Sequence, residues 1–299
     1  MTVQRTLRRQ VACAGIGLHS GNKVNLTLKP AAPDTGIRFR RMDLGGIEIP
    51  ASVERLSGTY YATGLRHDGA TVDTIEHLLA ALVSQGVDNV VVELDRSEVP
   101  IMDGSSAPFV YLIQEAGVKA QSEARRYMKM LRPVTVSRGD AMMAIYPSDT
   151  FKVSYTISFD HPLLRHQSHT VSVTAETFAE LIAPARTFGF LREVEMLRQQ
   201  GLTMGGSLDN AIVLSETGVL NNTLRFDDEF VRHKILDAIG DLALLGHPIL
   251  GHVVANRAGH AMHTTFAKRV LEERDAWAIV ELAPEPSAGV PAAVPVRAS

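Results

Sequence analysis

The stretch RFDDEFVRHKILDAIGDL, residues 225–242, decides the fold. Successive helical residues turn by about 100°, so with Phe230 as origin His233, Lys234, Asp237 and Asp241 fall within about 100° of arc. Val231, Ile235, Ala238, Ile239, Leu242 and Ala243 take the opposite side. This predicts a long helix over about 228–245. Two readings of its polar side compete. One is the solvated face of an amphipathic helix. Such a face would favour Glu and Lys in no fixed order, whereas here a His and an Asp stand at i, i+4. That spacing lets two side chains grip one ion, as in H-E-x-x-H zinc sites, and it is the second reading.

Upstream, DTIEHLLAALVSQG (73–86) has the same length from its key residue to its closing glycine: His77 to Gly86 matches Asp237 to Gly246. Glycine is preferred just past a helix C-terminus. Ile75, Leu78, Leu79 and Leu82 form a core stripe at i, i+3, i+4 and i+7. His77 lies opposite among Ala80, Ala81 and Ser84, small enough for another element to pack over it. Asp73 to Glu76 has the form of a capping box, so taken alone Glu76 reads as a helix cap. Taken together, the two helices offer His77, His233 and Asp237. A catalytic zinc commonly takes three N/O ligands and leaves a fourth position for water. Glu76, beside a ligand, then becomes a candidate base for that water.

The rest of the chain mixes strands and helices without regular βαβ alternation, so the fold class is α+β with two similar domains. Strands are expected at 24–28, 37–40, 87–94, 132–137, 141–146, 151–157 and 248–255, and helices at 74–85, 108–116 and 174–183. The polar stretch Lys119–Arg126 marks the boundary, giving domains 1–125 and 126–282. The Pro/Ala/Gly-rich residues 283–299 are expected to form a disordered tail. His161, His166 and His169 lie near Pro162 and read as surface residues. GIGLHSG (15–21) resembles a dinucleotide loop but has the wrong final spacing and no following helix.

Composition bounds the function. The 299 residues are 45% hydrophobic, enough for a sizeable core, and 30 basic against 33 acidic residues leave a net charge of −3. Nucleic-acid binders usually carry a clustered basic excess, so no nucleic-acid partner is expected. The single cysteine, Cys13, excludes an intrachain disulfide and a Cys-based zinc knuckle, and fits a reducing compartment. Nothing approaches the roughly 20 apolar residues of a membrane span. A cytoplasmic monomer is expected.

Several segments together resemble one family, the UDP-3-O-acyl-N-acetylglucosamine deacetylases of Gram-negative lipid A synthesis. They are GIGLHSG (15–21), TIEHLLAAL (74–82), VPIMDGSSAPF (99–109), ARTFGF (185–190), GGSLDNAIV (205–213), the 225–242 stretch and AGHAM (258–262). The resemblance implies two α+β domains, each a mainly antiparallel sheet with two helices, the helices sandwiched between the sheets. It implies one catalytic zinc on His77, His233 and Asp237, with Glu76 as general base. His260 would be the protonated histidine that stabilises the oxyanion and delivers a proton to the leaving amine, oriented by Asp241. Thr187 would donate to the oxyanion, Lys234 would bind substrate near phosphate, and Phe188 would pack on the sugar. Leu18 and His19 would lie near the site. Residues 184–204, with Phe188, Phe190 and Leu191, would help form an acyl-chain passage. The implied substrate is a UDP-linked acylated glucosamine. The rivals are a zinc amidase for another amide and a non-catalytic two-domain module.

Overall fold

Each half of the chain builds a sheet with the same five-strand core around the strand that follows its site helix. A computed structural model describes residues 2–59, 61–220 and 223–282; the expected tail, 283–299, lies outside them. In the first sheet the strand order is Val11–Ile16, Lys23–Pro30, Val90–Leu94, Ile37–Arg41, Ile47–Pro50. The central strand Val90–Leu94 runs antiparallel to Lys23–Pro30 and parallel to Ile37–Arg41. In the second, Ile249–Asn256 is central, antiparallel to Ala141–Pro147 and parallel to Phe151–Ile157, with Val134–Arg138 and Gln167–Ser172 outside them. Arg126–Met130 and Trp277–Glu281 extend this sheet at its Ile249 end.

Among the described residues six α-helices accompany the sheets: α1 (Glu76–Ser84), α2 (Ala107–Ala116), α3 (Ala175–Thr177), α4 (Leu191–Gln199), α5 (Glu229–Leu242) and α6 (His260–Glu272). α1 and α5 each precede a central strand, and α2 and α6 each follow one, so the duplication expected from the two Gly-closed helices is visible as topology. Gly86 and Gly246 both adopt the left-handed conformation, φ 73° and 81°, that a helix-ending glycine supplies without strain. Burial alternates along the sheets. Val24, Leu26 and Leu28 point inward from one, Val153, Tyr155 and Ile157 from the other. α1, α2, α5 and α6 fill the space between, each with a buried apolar face, whereas α4 buries only Leu197.

α1 and α5 cross in direct backbone contact at Gly240, where a Cβ would lie 2.0 Å from the Glu76 carbonyl oxygen. Both faces of α5 are therefore buried, the polar one against α1, and the solvated-face reading fails. The capping-box reading also fails. α1 starts at Glu76 with the apolar Ile75 at the N-cap and no side-chain cap, and the Glu76 carboxylate accepts the Thr63 N–H instead.

Other expectations need correction. The polar stretch Lys119–Arg126 is mostly a strand, Val118–Ala124, antiparallel to Val3–Leu7. α4, α6 and the Trp277–Glu281 strand were not among the expected elements. Of the three histidines near Pro162, His166 is exposed, but His161 is buried with Nε2 2.9 Å from the Ser215 carbonyl. His169 is half-buried and bonded to Asp228.

Candidate metal centre and active site

The duplicated topology makes one centre from two helices. His77 sits in the first turn of α1, and His233 and Asp237 sit one turn apart on α5, all buried. Asp237 Oδ1 lies 3.3 Å from His233 Nε2 and 3.7 Å from His77 Nε2. A tetrahedral ion with N/O ligands about 2.0–2.2 Å away separates its ligand atoms by roughly 3.3–3.6 Å. Asp237 Oδ1 is buried with no hydrogen-bond partner, a condition that demands an explanation. A metal ion in this position supplies one. Asp237 Oδ2 accepts a 2.6 Å hydrogen bond from Lys234 Nζ. His233 Nδ1 lies 3.1 Å from the Ala185 carbonyl, which can only accept, so Nε2 carries the free lone pair. Burial pushes the His233 pKa down to about 4, keeping the ring neutral, as a ligand must be.

A second trio behaves differently. Asp241 Oδ2 stands 2.8 Å from both His260 Nδ1 and His263 Nδ1. Those are hydrogen-bond lengths. Thr63 Oγ1 donates to the other oxygen at 2.5 Å. Burial opposes the charge on Asp241, but His260 and the donated hydrogen bonds prevail and hold its pKa at about 2. Burial likewise opposes the His260 imidazolium. The Asp241, Asp237 and Glu76 carboxylates outweigh it and push the pKa up to about 9. The ring's Nε2 lies 3.9 Å from Glu76 Oε1 and 3.8 Å from Asp237 Oδ2. Glu76 Oε2 accepts the Thr63 backbone N–H at 3.0 Å, and burial raises the carboxyl pKa against the pull of His260 and His77. A buried carboxylate of raised pKa and a half-buried imidazolium thus flank the trio that fits a metal, a pairing suited to moving one proton in and one out.

The metal-fitting trio, Glu76 and His260 open into one cavity of about 890 Å³. Leu18, His19, Thr187, Phe188 and Lys234 all line it, as do Glu76, His77, His233, Asp237 and His260. Val136, Ile157, Phe159, Phe188 and Phe190 give it an apolar lining, with the Phe159 ring 6.0 Å from that of Phe188 and 5.8 Å from that of Phe190. Phe188 packs edge-on against Phe230, ring centroids 5.0 Å apart. Leu191, expected alongside, is exposed at the start of α4 and lies off the lining. His19 is placed by Glu98, whose oxygens accept the N–H groups of His19 and Ser20 at 2.8 Å. Thr187 N–H donates to the Gly104 carbonyl at 2.8 Å.

The family model for LpxC, UDP-3-O-acyl N-acetylglycosamine deacetylase, matches residues 4–272. The chain belongs to this family. Proteins named UDP-3-O-acyl-N-acetylglucosamine deacetylase are similar to it over nearly full length. The one from Pseudomonas entomophila is 50% identical over 94% of both chains. That from Syntrophotalea carbinolica is 48% identical over 94% of this chain and 92% of its own. That from Marinobacter nauticus is 47% identical over the whole of both. The matched region takes in the five-strand core of both sheets and α1 to α6. Among the described residues, no helix of this deacetylase-family chain is long and apolar enough to cross a membrane.

Several groups that shape this deacetylase-family site have no counterpart among the residues singled out from the sequence. Thr63 touches both Asp241 and Glu76, and it lies in an irregular stretch where no periodicity marks it. Arg186 clamps Glu229 at the start of α5 with its backbone N–H (3.0 Å) and Nε (2.8 Å), fixing the loop that presents Ala185 and Thr187. Gly104 has φ +86° and would place a Cβ 2.2 Å from the Asn210 carbonyl, so the VPIMDGSS turn can seat Thr187 only with glycine there. His263 is three residues from His260, a helical spacing that becomes informative once α6 is known.

Proposed function

We propose that the protein hydrolyses the 2-acetamido group of UDP-3-O-(3-hydroxyacyl)-N-acetylglucosamine to acetate and the free amine, an early committed step of lipid A synthesis. One zinc ion is held by His77, His233 and Asp237. The observation that carries this reading is the meeting, in one cavity, of that buried donor set with Glu76 and the His260 imidazolium on either side.

When bound, the ion would supply Lewis-acid charge for the amide carbonyl and acidity for the attacking water. Glu76 takes the water's proton, and its raised pKa makes it a stronger base than an exposed carboxylate. His260, held by Asp241, faces the developing negative charge and hands its Nε2 proton to the leaving nitrogen. Thr187 donates to the oxyanion. Phe188 packs on the sugar, and the aromatic and aliphatic lining of the cavity takes the acyl chain. Leu18 and His19 line the same cavity. Lys234 binds substrate near phosphate; in the free chain its ammonium rests on Asp237 Oδ2, so substrate has to share it with that carboxylate. The domains are assigned as 1–125 and 126–282, supported by their equal strand order. We place the enzyme in the cytoplasm as a monomer, supported by the lone Cys13 and by the single chain that supplies both halves of the cavity.

Acetate release from UDP-3-O-(3-hydroxyacyl)-N-acetylglucosamine by purified protein, before chelation, after it and after zinc is restored, tests the reading. Activity lost on chelation and recovered with zinc is expected. Metal-loaded protein without activity would remove the substrate assignment, and protein that neither binds metal nor reacts would favour a non-catalytic module.

A further inference from the structure

His263 is fully buried on α6, yet nothing in the proposed reaction uses it. Its Nδ1 lies 2.8 Å from Asp241 Oδ2, the oxygen that also takes His260 Nδ1 at 2.8 Å. Its Nε2 lies 2.8 Å from the Tyr155 hydroxyl, and Tyr155 is itself buried on the second sheet. The same hydroxyl stands 2.8 Å from the Ala258 carbonyl, two residues before His260.

The proton positions follow from the partners. Ionised Asp241 can only accept, so His263 carries its proton on Nδ1. Burial lowers the His263 pKa, so the ring is neutral and Nε2 is a lone pair. The Tyr155 hydroxyl, whose pKa burial raises well above its usual value, keeps its single proton and shares it between the Ala258 carbonyl and that lone pair, each 2.8 Å away. Asp241 thereby has three donors, Thr63, His260 and His263, and its carboxylate plane is determined by them. With His263 removed, the Oδ2 direction facing α6 is unsatisfied in a buried pocket, and the carboxylate is free to turn toward His260 alone.

We infer that His263, backed by Tyr155, is a positioning pair for His260: it pins the Asp241 carboxylate in the orientation that aims His260 Nε2 into the cavity. Neither residue lines that cavity, so the pair acts on the rate of the chemical step and not on substrate binding. The inference rests on the role proposed above for His260.

Three variants test it: His263→Leu, His263→Asn and Tyr155→Phe. Asn puts an amide N–H where Nδ1 stands and a carbonyl oxygen toward Tyr155. His263→Leu should keep its zinc and its KM while kcat falls about 10- to 100-fold, the usual effect of losing an outer partner of a site residue. His263→Asn should recover most of that loss, and Tyr155→Phe should show a smaller fall in kcat with KM unchanged. Wild-type kcat in His263→Leu overturns the inference. So does an equal loss in His263→Asn, which would mean that the ring only fills space. Should His263→Leu not fold, Tyr155→Phe and His263→Asn still decide: kcat unchanged in the first together with a full loss in the second overturns the pair. Proton NMR of the zinc-loaded protein gives a readout free of turnover. Wild type should show two downfield imidazole N–H signals. His263→Asn should lose one and leave the other near its place, whereas His263→Leu should also shift the survivor. An unmoved survivor in His263→Leu refutes the positioning role. A wild-type protein that shows both signals but releases no acetate would refute the proposed reaction instead.

Discussion

Replacing Gly240 by alanine should damage the site more than the fold, although most glycine-to-alanine changes inside helices stabilise. The helix-propensity gain is about 1 kcal/mol. Against it stands a Cβ placed 2.0 Å from the Glu76 carbonyl oxygen, 2.7 Å from its carbonyl carbon and 2.9 Å from its Cα. Carbon–oxygen contacts normally sit at about 3.3 Å or more, so α1 and α5 must part by roughly 1 Å or slide past each other. The atoms met are backbone, which cannot rotate away. Overpacking of this kind costs about 1–3 kcal/mol. The net expectation is a destabilisation of up to about 2 kcal/mol, a Tm lower by several degrees at roughly 2–4 °C per kcal/mol. The site suffers more, because the residue pushed is Glu76 and the next is His77. A misplacement of about 1 Å can reduce a rate by on the order of 100-fold. Calorimetry, zinc competition with a chelator and acetate release should be compared with Gly218→Ala, whose Cβ would meet nothing within 4 Å. Gly240→Ala with the Tm, zinc affinity and kcat/KM of that control would refute the idea that the centre depends on close helix contact.

Three further outcomes are expected. Glu76→Ala should retain zinc and lose about 10²- to 10⁴-fold in kcat; full activity would remove Glu76 as the base. Asp237→Ala should lose its zinc on desalting, and unchanged metal content by atomic absorption would sink the ligand assignment. kcat/KM should fall as pH rises through about 9, because in the proposed reaction His260 acts protonated and its neighbouring carboxylates hold the proton to that pH. It should also fall on the acid side as Glu76, its pKa raised by burial, takes up a proton. His260→Gln should abolish the alkaline limb, and a wild-type profile flat through that region would exclude His260 as the acid.

The local chemistry of the site was legible before any coordinates. His233 and Asp237 share a face because a helix repeats every 3.6 residues. His77 among small residues signalled that another element packs over it, and the two Gly-closed helices signalled a repeated unit. Each of these is a relation between residues one or two turns apart, where backbone geometry alone sets the distance. Other features belong to the tertiary structure. Thr63 reaches Asp241 across 178 residues of sequence, and no local rule joins an irregular segment to a helix that far away. Whether Glu76 caps its helix or faces His260 could not be read from D-x-x-E, because both uses need the same residue at the same place. The capture of its carboxylate by Thr63 N–H, with α5 packed against its backbone at Gly240, settles the conformation. The polar face of α5 reads the same whether it meets water or another helix. What buries it is the packing of two duplicated halves against each other, and burial then sets the charge states, keeping His233 neutral while the carboxylates it encloses keep His260 protonated.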